Sequence, residues 1–200
     1  AMLARKKAQE NGIAFVTIKN SNHYGMAGYW SLLLAGNDMI GFSASDSDPC
    51  LATHGGSTAT VGNNPFSYAF SGKKYRDICF DVACSMVAGG KKGRMIARGE
   101  RMPLGWFLDL EGRDTDDPAL GITALPFGGH KGSGLSFVME VLTSRLAGGS
   151  FGRDMGSFWN SPVENILTSH CFAAIHVDAF QDIADFQKGI DDYVDYKKVE

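Results

Sequence analysis

Apolar and polar positions along the chain form short blocks, and several of these blocks have the composition of β-strands. A run of apolar, aromatic and β-branched residues bounded by turn-forming residues is typical of a strand buried in a sheet. The pattern predicts strands at residues 12–20, Met39–Ser47, Phe66–Phe70, Ile78–Cys84 and His170–Phe180. The stretch between Asp48 and Pro65 is rich in turn residues, and we expect a loop there.

Other blocks repeat their apolar positions with helical spacing and end at glycine, which commonly terminates helices. The predicted helices are Met2–Asn11, Gly25–Ala35, Met86–Arg98, Gly134–Ala147 and an amphipathic C-terminal helix over 186–200. A short hairpin is expected at Phe107–Asp114, and residues 150–168 are expected to be irregular. We expect the packed faces of the first two helices to carry Leu3 and, in the second, Ala27, Tyr29, Leu32 and Leu33. Strands and helices thus mix along the chain, which predicts an α/β layer fold.

Composition narrows the class of protein. The 200 residues are 44% hydrophobic and carry a net charge of −3, so charge gives no reason to expect nucleic acid or a membrane surface as a partner. No apolar run approaches the ~20 residues of a membrane span, and no secretory signal opens the sequence. The four cysteines lack CxxC spacing, so we expect free thiols, a cytoplasmic location and no metal site.

A glycine-rich segment, "PFGGHKGSGL", is the first candidate for binding chemistry. It places Gly129, His130 and Lys131 before a predicted helix. Bare backbone amides, a helix start and an ammonium group could bind a phosphate. Equally, the glycines could simply begin a helix and Lys131 could be solvated. The spacing matches neither the Walker loop nor the Rossmann fingerprint.

Other polar groups lie where predicted strands end. His23, in "NSNHYGMAGY", follows the first strand and could transfer a proton or be an ordinary turn residue. Asn64 and Pro65 precede a strand and could contact a polar ligand or only form a turn. The segment "SASDSDP" holds Ser47 at a strand end, where open α/β sheets bind ligands, although an Asx turn would also explain it. Asp81 interrupts an apolar strand and is expected to be buried, and a buried carboxylate should bind backbone amides or a ligand.

Taken together, five motifs resemble one family. They are "NSNHYGMAGY", "GNNPFSYAF", "FDVACS", "GWFLDLEGRDTDDP" and "LPFGGHKGSGL", in this order and spacing. The set resembles the type 2 malate/L-lactate dehydrogenases, a family that also includes sulfolactate and ureidoglycolate dehydrogenases and cyclic imino-acid reductases. This resemblance implies a mixed sheet with packed helices, a non-Rossmann nicotinamide-binding fold of the sulfolactate dehydrogenase type. It also implies a homodimer, NAD or NADP as cofactor, and a small 2-hydroxy or 2-oxo acid as substrate.

The resemblance assigns roles to particular residues. It makes His23 the catalytic acid/base and puts Asn64 and Pro65 close to the substrate. Cofactor contacts would come from Ser47, Asp81, Val82, Ala83, Gly129, His130 and Lys131.

The family's members are longer and carry an N-terminal Ser-His-Gly…Arg motif whose arginine holds the substrate carboxylate. We therefore expect residues 1–200 to be the cofactor-binding and catalytic portion, without that segment. Reduction of a cyclic imino acid is one alternative function, and a non-catalytic ligand-binding or dimerising remnant is another.

Overall fold

The structure, a computed structural model, describes residues 1–36, 38–157 and 165–199. Its larger sheet contains β1 (Ile13–Ser21), β2 (Met39–Ser45), β5 (Phe66–Phe70), β6 (Ile78–Val82) and β9 (Thr168–His176). These strands lie in the order β1-β9-β2-β5-β6, and every neighbouring pair is antiparallel. All five correspond to predicted strands: β5 has the predicted bounds, and the other four have one or both ends shifted. The last one stops at His176 because residues 177–179 form a 3₁₀ turn.

A second, smaller sheet corrects the prediction of a long loop. It contains β3 (Pro49–Ala52), β4 (Ala59–Gly62), β7 (Phe107–Leu108) and β8 (Thr123–Ala124), in the order β4-β3-β8-β7. At the predicted hairpin, Phe107–Asp114, Leu108 and Asp114 form an antiparallel bridge, and the Asp109 amide donates a hydrogen bond to the Arg113 carbonyl oxygen. Strand β7 also pairs with β8. The pairing of β3 with β8 is parallel and joins Leu51 to Ala124.

The helices are α1 (Met2–Asn11), α2 (Ala27–Ala35), α3 (Gly89–Arg98), α4 (His130–Glu140) and α5 (Ile183–Lys197). The prediction placed the start of α4 four residues too late, since the helix begins inside the glycine segment. A π-helical turn, Val141–Arg145, continues α4. Helix α5 begins where the Asp182 carboxylate accepts hydrogen bonds from the amides of Ala184 and Asp185, as an N-cap does.

The predicted packed faces of α1 and α2 are confirmed at Ala27, which is buried, and are wrong at Leu3 and Tyr29. Leu3 is 54% exposed and Tyr29 56% exposed, while the fully buried positions of the two helices are mostly alanine, glycine and serine. The reason is close approach of helix and sheet. At α2, a Cβ on Gly41 of β2 would clash with the Ser31 carbonyl oxygen. Most large side chains of α2 therefore point outward, whereas Leu34 is buried.

Two apolar clusters stabilise the fold. The larger one joins the two sheets and α4, and includes Phe42, Leu51, Phe66, Phe107 and Met139. The smaller one lies between the sheet and helices α1 and α2. Among the helices in the described part of the chain, none has both the length and the apolar character that crossing a bilayer requires.

Candidate active site

A cavity of about 740 Å³ lies where the larger sheet, the smaller sheet and α3 meet. Its wall includes the loop after β1, the segment after β2, the segment between β6 and α3, and residues of β7 and β8. Three residues that the sequence singled out line it together, namely His23, Ser47 and Pro65. The structure therefore brings the predicted acid/base to the same space as one predicted cofactor residue and one predicted substrate neighbour.

His23 lies in the loop between β1 and α2, and its side chain is exposed to the cavity. The backbone turns sharply around it, with Asn20 at φ 56° and Gly25 at φ 85°. The Gly25 amide donates a hydrogen bond of 3.0 Å to Nδ1 of His23. Because Nδ1 accepts, the neutral imidazole carries its proton on Nε2 in this geometry.

A second histidine, His170, lies in β9 of the larger sheet and contacts this loop. Its Nε2 lies 3.1 Å from the carbonyl oxygen of Asn22, and its Nδ1 lies 2.9 Å from Oγ of Ser45. The ring stacks on Tyr24, with 4.3 Å between centroids. Burial lowers the pKa of His170 to about 4, so the ring is neutral at physiological pH. His170 thus contacts the residues on both sides of His23 and fixes the loop that carries it.

Ser47 and Asn64 form a separate polar contact at the cavity wall. The amide of Ser47 donates to Oδ1 of Asn64 over 3.0 Å, and Oγ of Ser47 accepts a 2.8 Å bond from the Asn63 amide. Asn64 is fully buried at φ 34°, and its Nδ2 donates to the carbonyl and hydroxyl oxygens of Ser136 in α4. Asn64 is absent from the cavity lining, whereas Pro65 belongs to it.

Asp46 is the most deeply buried carboxyl group of the cavity wall, with 2% of its surface exposed. Its Oδ1 accepts a 2.7 Å hydrogen bond from the amide of Ser169. Burial, and to a smaller extent the nearby charge of Glu140, raises the pKa of Asp46 to about 7. The wall behind His23 therefore contains an acid that exchanges a proton near neutral pH.

Asp81, Val82 and Ala83 lie near the cavity without lining it. They occupy β6 and the residue after it, at the edge of the larger sheet, and the chain reaches the cavity at Ser85. The expectation of a buried Asp81 is wrong, because this edge strand leaves the residue exposed. Its Oδ2 accepts a 2.7 Å hydrogen bond from the Gly28 amide at the start of α2. This contact satisfies one of the donors that a helix leaves unpaired at its first turn.

The glycine segment lies elsewhere. Gly129, at φ 61°, lines a second, smaller cavity of about 280 Å³ together with His54. The rings of His54 and His130 are 5.9 Å apart, and Lys131 is exposed in the first turn of α4. The residues that the resemblance assigned to the cofactor are therefore divided between the large cavity, the β6 edge and the start of α4, where Gly129 lines the second cavity.

Lys92 is a charged cavity residue that the sequence patterns did not identify. Lys92 of α3 lines the large cavity, and its Nζ donates a 2.7 Å hydrogen bond to the carbonyl oxygen of Gly121. Nζ also lies 4.8 Å from the ring centroid of Phe107. Burial lowers the pKa of Lys92. A signal existed, because Met95 lies three positions further on the same face and packs against the core.

The four cysteines are free thiols, as predicted. Within the ranges 1–36, 38–157 and 165–199, no three histidine, cysteine or acidic side chains form a group that could hold a metal ion.

Comparison with known proteins identifies relatives of the whole described chain. A sequence profile of the family "Malate/L-lactate dehydrogenase" matches residues 1–199. The chain is 35% identical over 195 residues to the L-sulfolactate dehydrogenase of Methanocaldococcus jannaschii, covering 96% of this chain and 56% of that protein. The solved structure of sulfolactate dehydrogenase from the same organism superposes with a TM-score of 0.89 at 35% identity, covering 97% of this chain and 56% of that one.

Two further relatives widen the range of named activities. The malate dehydrogenase of Pyrococcus abyssi is 35% identical over 195 residues, covering 92% of this chain and 53% of that protein. A Δ1-pyrroline-2-carboxylate/Δ1-piperideine-2-carboxylate reductase of Pseudomonas putida is 36% identical over 150 residues, covering 72% and 43%. The chain thus spans about half the length of the curated relatives that it matches.

Proposed function

The chain belongs to the malate/L-lactate dehydrogenase family, and we propose that it is a cytoplasmic, homodimeric oxidoreductase. The proposed reaction transfers a hydride between NAD or NADP and a small 2-hydroxy or 2-oxo acid of the malate or lactate type. The observation that carries the proposal is the position of His23, whose imidazole faces a cavity beside Ser47 and Pro65.

The cavity has room for the reacting parts of both molecules. Binding pockets for small molecules measure about 300–1,000 Å³, and this one measures about 740 Å³. Gly89 and Gly93 line it, and at both positions open space lies where a Cβ would be. A flat aromatic ring could approach the backbone closely there. When bound, a nicotinamide cofactor supplies the hydride donor or acceptor.

The protein itself supplies or accepts the proton and positions the side chain that transfers it. Oxidation of a 2-hydroxyl group releases a proton, and reduction of a 2-oxo group requires one. We assign both transfers to the His23 imidazole, whose loop is held through the contacts of His170 with Asn22 and Ser45. Reduction uses the imidazolium form, which gives one ring proton to the substrate oxygen and becomes neutral. Oxidation runs in reverse, since the neutral ring then accepts the proton of the 2-hydroxyl group.

We assign cofactor binding to three groups of residues. Ser47 would contact the cofactor at the cavity wall, and Asp81, Val82 and Ala83 along the edge strand that leads into it. Lys131, with the backbone at Gly129 and His130, would bind the cofactor's phosphate groups through charge and amide hydrogen bonds. Pro65 would border the substrate, and Asn64 would support this wall from inside through its bond to Ser47.

Reduction of a cyclic imino acid is the second candidate. It is favoured by the 36% identity to the reductase of Pseudomonas putida. The demands on the site are similar, since hydride would reach an imine carbon and a proton the adjacent nitrogen. The same imidazole could supply that proton.

Steady-state assays separate the candidates. Oxidation of NADH or NADPH is followed by absorbance with pyruvate, oxaloacetate, sulfopyruvate or Δ1-piperideine-2-carboxylate as substrate. We expect turnover with at least one 2-oxo acid and faster turnover than with the imine. Turnover of the imine alone would favour the second candidate. Cofactor binding without reduction of any of the four compounds would overturn both proposals. Sedimentation equilibrium tests the homodimer.

A further inference from the structure

Lys92 is a partly buried cation that the proposed reaction does not yet use. It lies in α3 and lines the cavity, with its ammonium held by the Gly121 carbonyl and placed over the Phe107 ring. Among the residues that the structure describes, Lys92 has no ion-pair partner. A cation that has lost part of its hydration gains free energy when an anion reaches it.

The neighbouring lysine differs in its surroundings. Lys91 is exposed, lies outside the cavity lining and places its Nζ 5.0 Å from the Trp106 ring centroid. The two side chains have the same charge and adjacent positions on one helix, yet only Lys92 reaches the cavity. Lys91 is therefore a matched control for any test of Lys92.

Charge is distributed unequally around the cavity. The wall formed by the segment after β2 carries the acidic side chains Asp46 and Asp48. The wall formed by α3 and the smaller sheet carries Lys92 beside apolar Phe107 and Ile122. Apart from His23, Lys92 is the basic side chain of the described cavity lining. An acidic group of a bound molecule would therefore lie most favourably against the α3 wall.

We propose that Lys92 binds the second, distal acid group of a dianionic substrate, so that the cavity selects dicarboxylates or sulfonated acids over monocarboxylates. The inference rests on the proposed function, and it assigns the ammonium to the end of the substrate that does not react. An ammonium group forms charge-assisted hydrogen bonds with carboxylate and sulfonate oxygens alike. The relatives named for sulfolactate and malate act on acids with two such groups.

Substrate discrimination tests the proposal. In Lys92→Gln we expect kcat/KM for oxaloacetate to fall roughly ten- to hundredfold, the usual effect of losing a hydrogen bond to a charged group. The value for pyruvate should stay within about threefold, because pyruvate has no distal acid. The Michaelis constant of the cofactor should also be unchanged. Lys92→Arg should keep part of the preference, and Lys91→Gln should behave like the parent for both acids.

Several outcomes would overturn the inference. Equal losses with oxaloacetate and pyruvate would place Lys92 at the reacting carboxylate, or give it only a structural role. A raised Michaelis constant for the cofactor alone would place it at a cofactor phosphate. Unchanged kinetics with both acids would leave Lys92 without a binding role.

Calorimetric titration separates this inference from the proposed function, because it needs no turnover. Malate and lactate are each titrated into three cofactor-free proteins: the parent, the Lys92→Gln variant and the Lys91→Gln variant. We expect weaker binding of malate to Lys92→Gln alone. If no 2-oxo acid is reduced but this difference remains, the proposed function fails and the anion subsite stands. If the parent does not bind malate, the subsite is overturned as well.

Discussion

Two regions with glycine-flanked histidines differ sharply in how they are held. The His23 loop is tied to buried groups, because His170 contacts Asn22 and Ser45 beneath it. The segment from Gly128 to Lys131 lies at the surface, has two successive glycines with positive φ, and contacts the rest of the protein there through His54. Proton transfer needs accurate placement of a donor atom, whereas charge attraction acts over longer distances. The loop held by buried contacts is thus the one proposed for proton transfer, and the surface segment is the one proposed to bind the cofactor through charge.

The largest expected effect concerns the His23 loop. In His23→Ala, turnover of the best 2-oxo acid should fall by ~10²–10⁴, because general acid/base assistance is typically worth that factor. The Michaelis constant of the cofactor should change little. The matched control is His54→Ala, which removes a histidine from the other region. Equal losses of turnover in the two variants would contradict the assignment of the proton to His23.

A smaller effect concerns the buried acid behind His23. The pKa of Asp46 is raised from 3.8 to about 7, so the folded chain keeps a proton that the unfolded chain releases between these pH values. The free energy of unfolding contributed by this group is present at low pH and is lost as pH rises through about 7. Asparagine has no titratable proton, so the Asp46→Asn variant does not lose this free energy of unfolding as pH rises. We expect the variant to gain roughly 2 kcal/mol relative to the parent between pH 5 and pH 8.

Urea unfolding of both proteins across this pH range measures the difference. His170 contributes with the opposite sign. Its pKa is lowered from 6.5 to about 4, so its contribution to stability is lost as pH falls between these values. Because parent and variant share His170, its contribution cancels in the comparison. Parallel pH profiles for the parent and Asp46→Asn would show that burial does not perturb the carboxyl group.

The smallest effect concerns the surface region. In Lys131→Ala the Michaelis constant of the cofactor should rise about tenfold while turnover at saturation stays within about twofold, since an exposed ammonium contributes mainly to binding. The effect should shrink at high salt because exposed charges are screened. An equal fall in turnover with the cofactor saturating would mean that this region also places the reacting groups.

Apolar and polar patterns within short stretches of sequence predicted the elements that form from neighbouring residues. Each strand of the larger sheet follows from an apolar run, and His23 was found because it follows one of them. The smaller sheet was missed because β3 and β8 are short and their pairing joins Leu51 to Ala124, far apart in sequence. The inward position of Lys92 also depends on tertiary packing, which helical periodicity alone does not specify.

Tertiary arrangement also accounts for the wrong predictions at individual residues. Apolar neighbours suggested that Asp81 is buried, but strand order places β6 at a sheet edge, and sequence does not reveal strand order. The π-helical turn after α4 was likewise hidden. There the Thr143 hydroxyl donates to the carbonyl oxygen of Met139, a side-chain contact that competes with regular helical bonding.

Asn64 has a consequence for how the protein tolerates change. Its side-chain oxygen, Oδ1, accepts a hydrogen bond from the Ser47 amide, and its side-chain nitrogen, Nδ2, donates one to the Ser136 carbonyl oxygen in α4. Both the acceptor and the donor of the side chain are therefore used. Aspartate would offer no donor and leucine neither group, and the left-handed backbone at this position further disfavours branched residues. A saturation library screened for folded protein should therefore return asparagine almost alone at position 64. Such intolerance would reflect architecture rather than chemistry, in a residue that does not line the cavity.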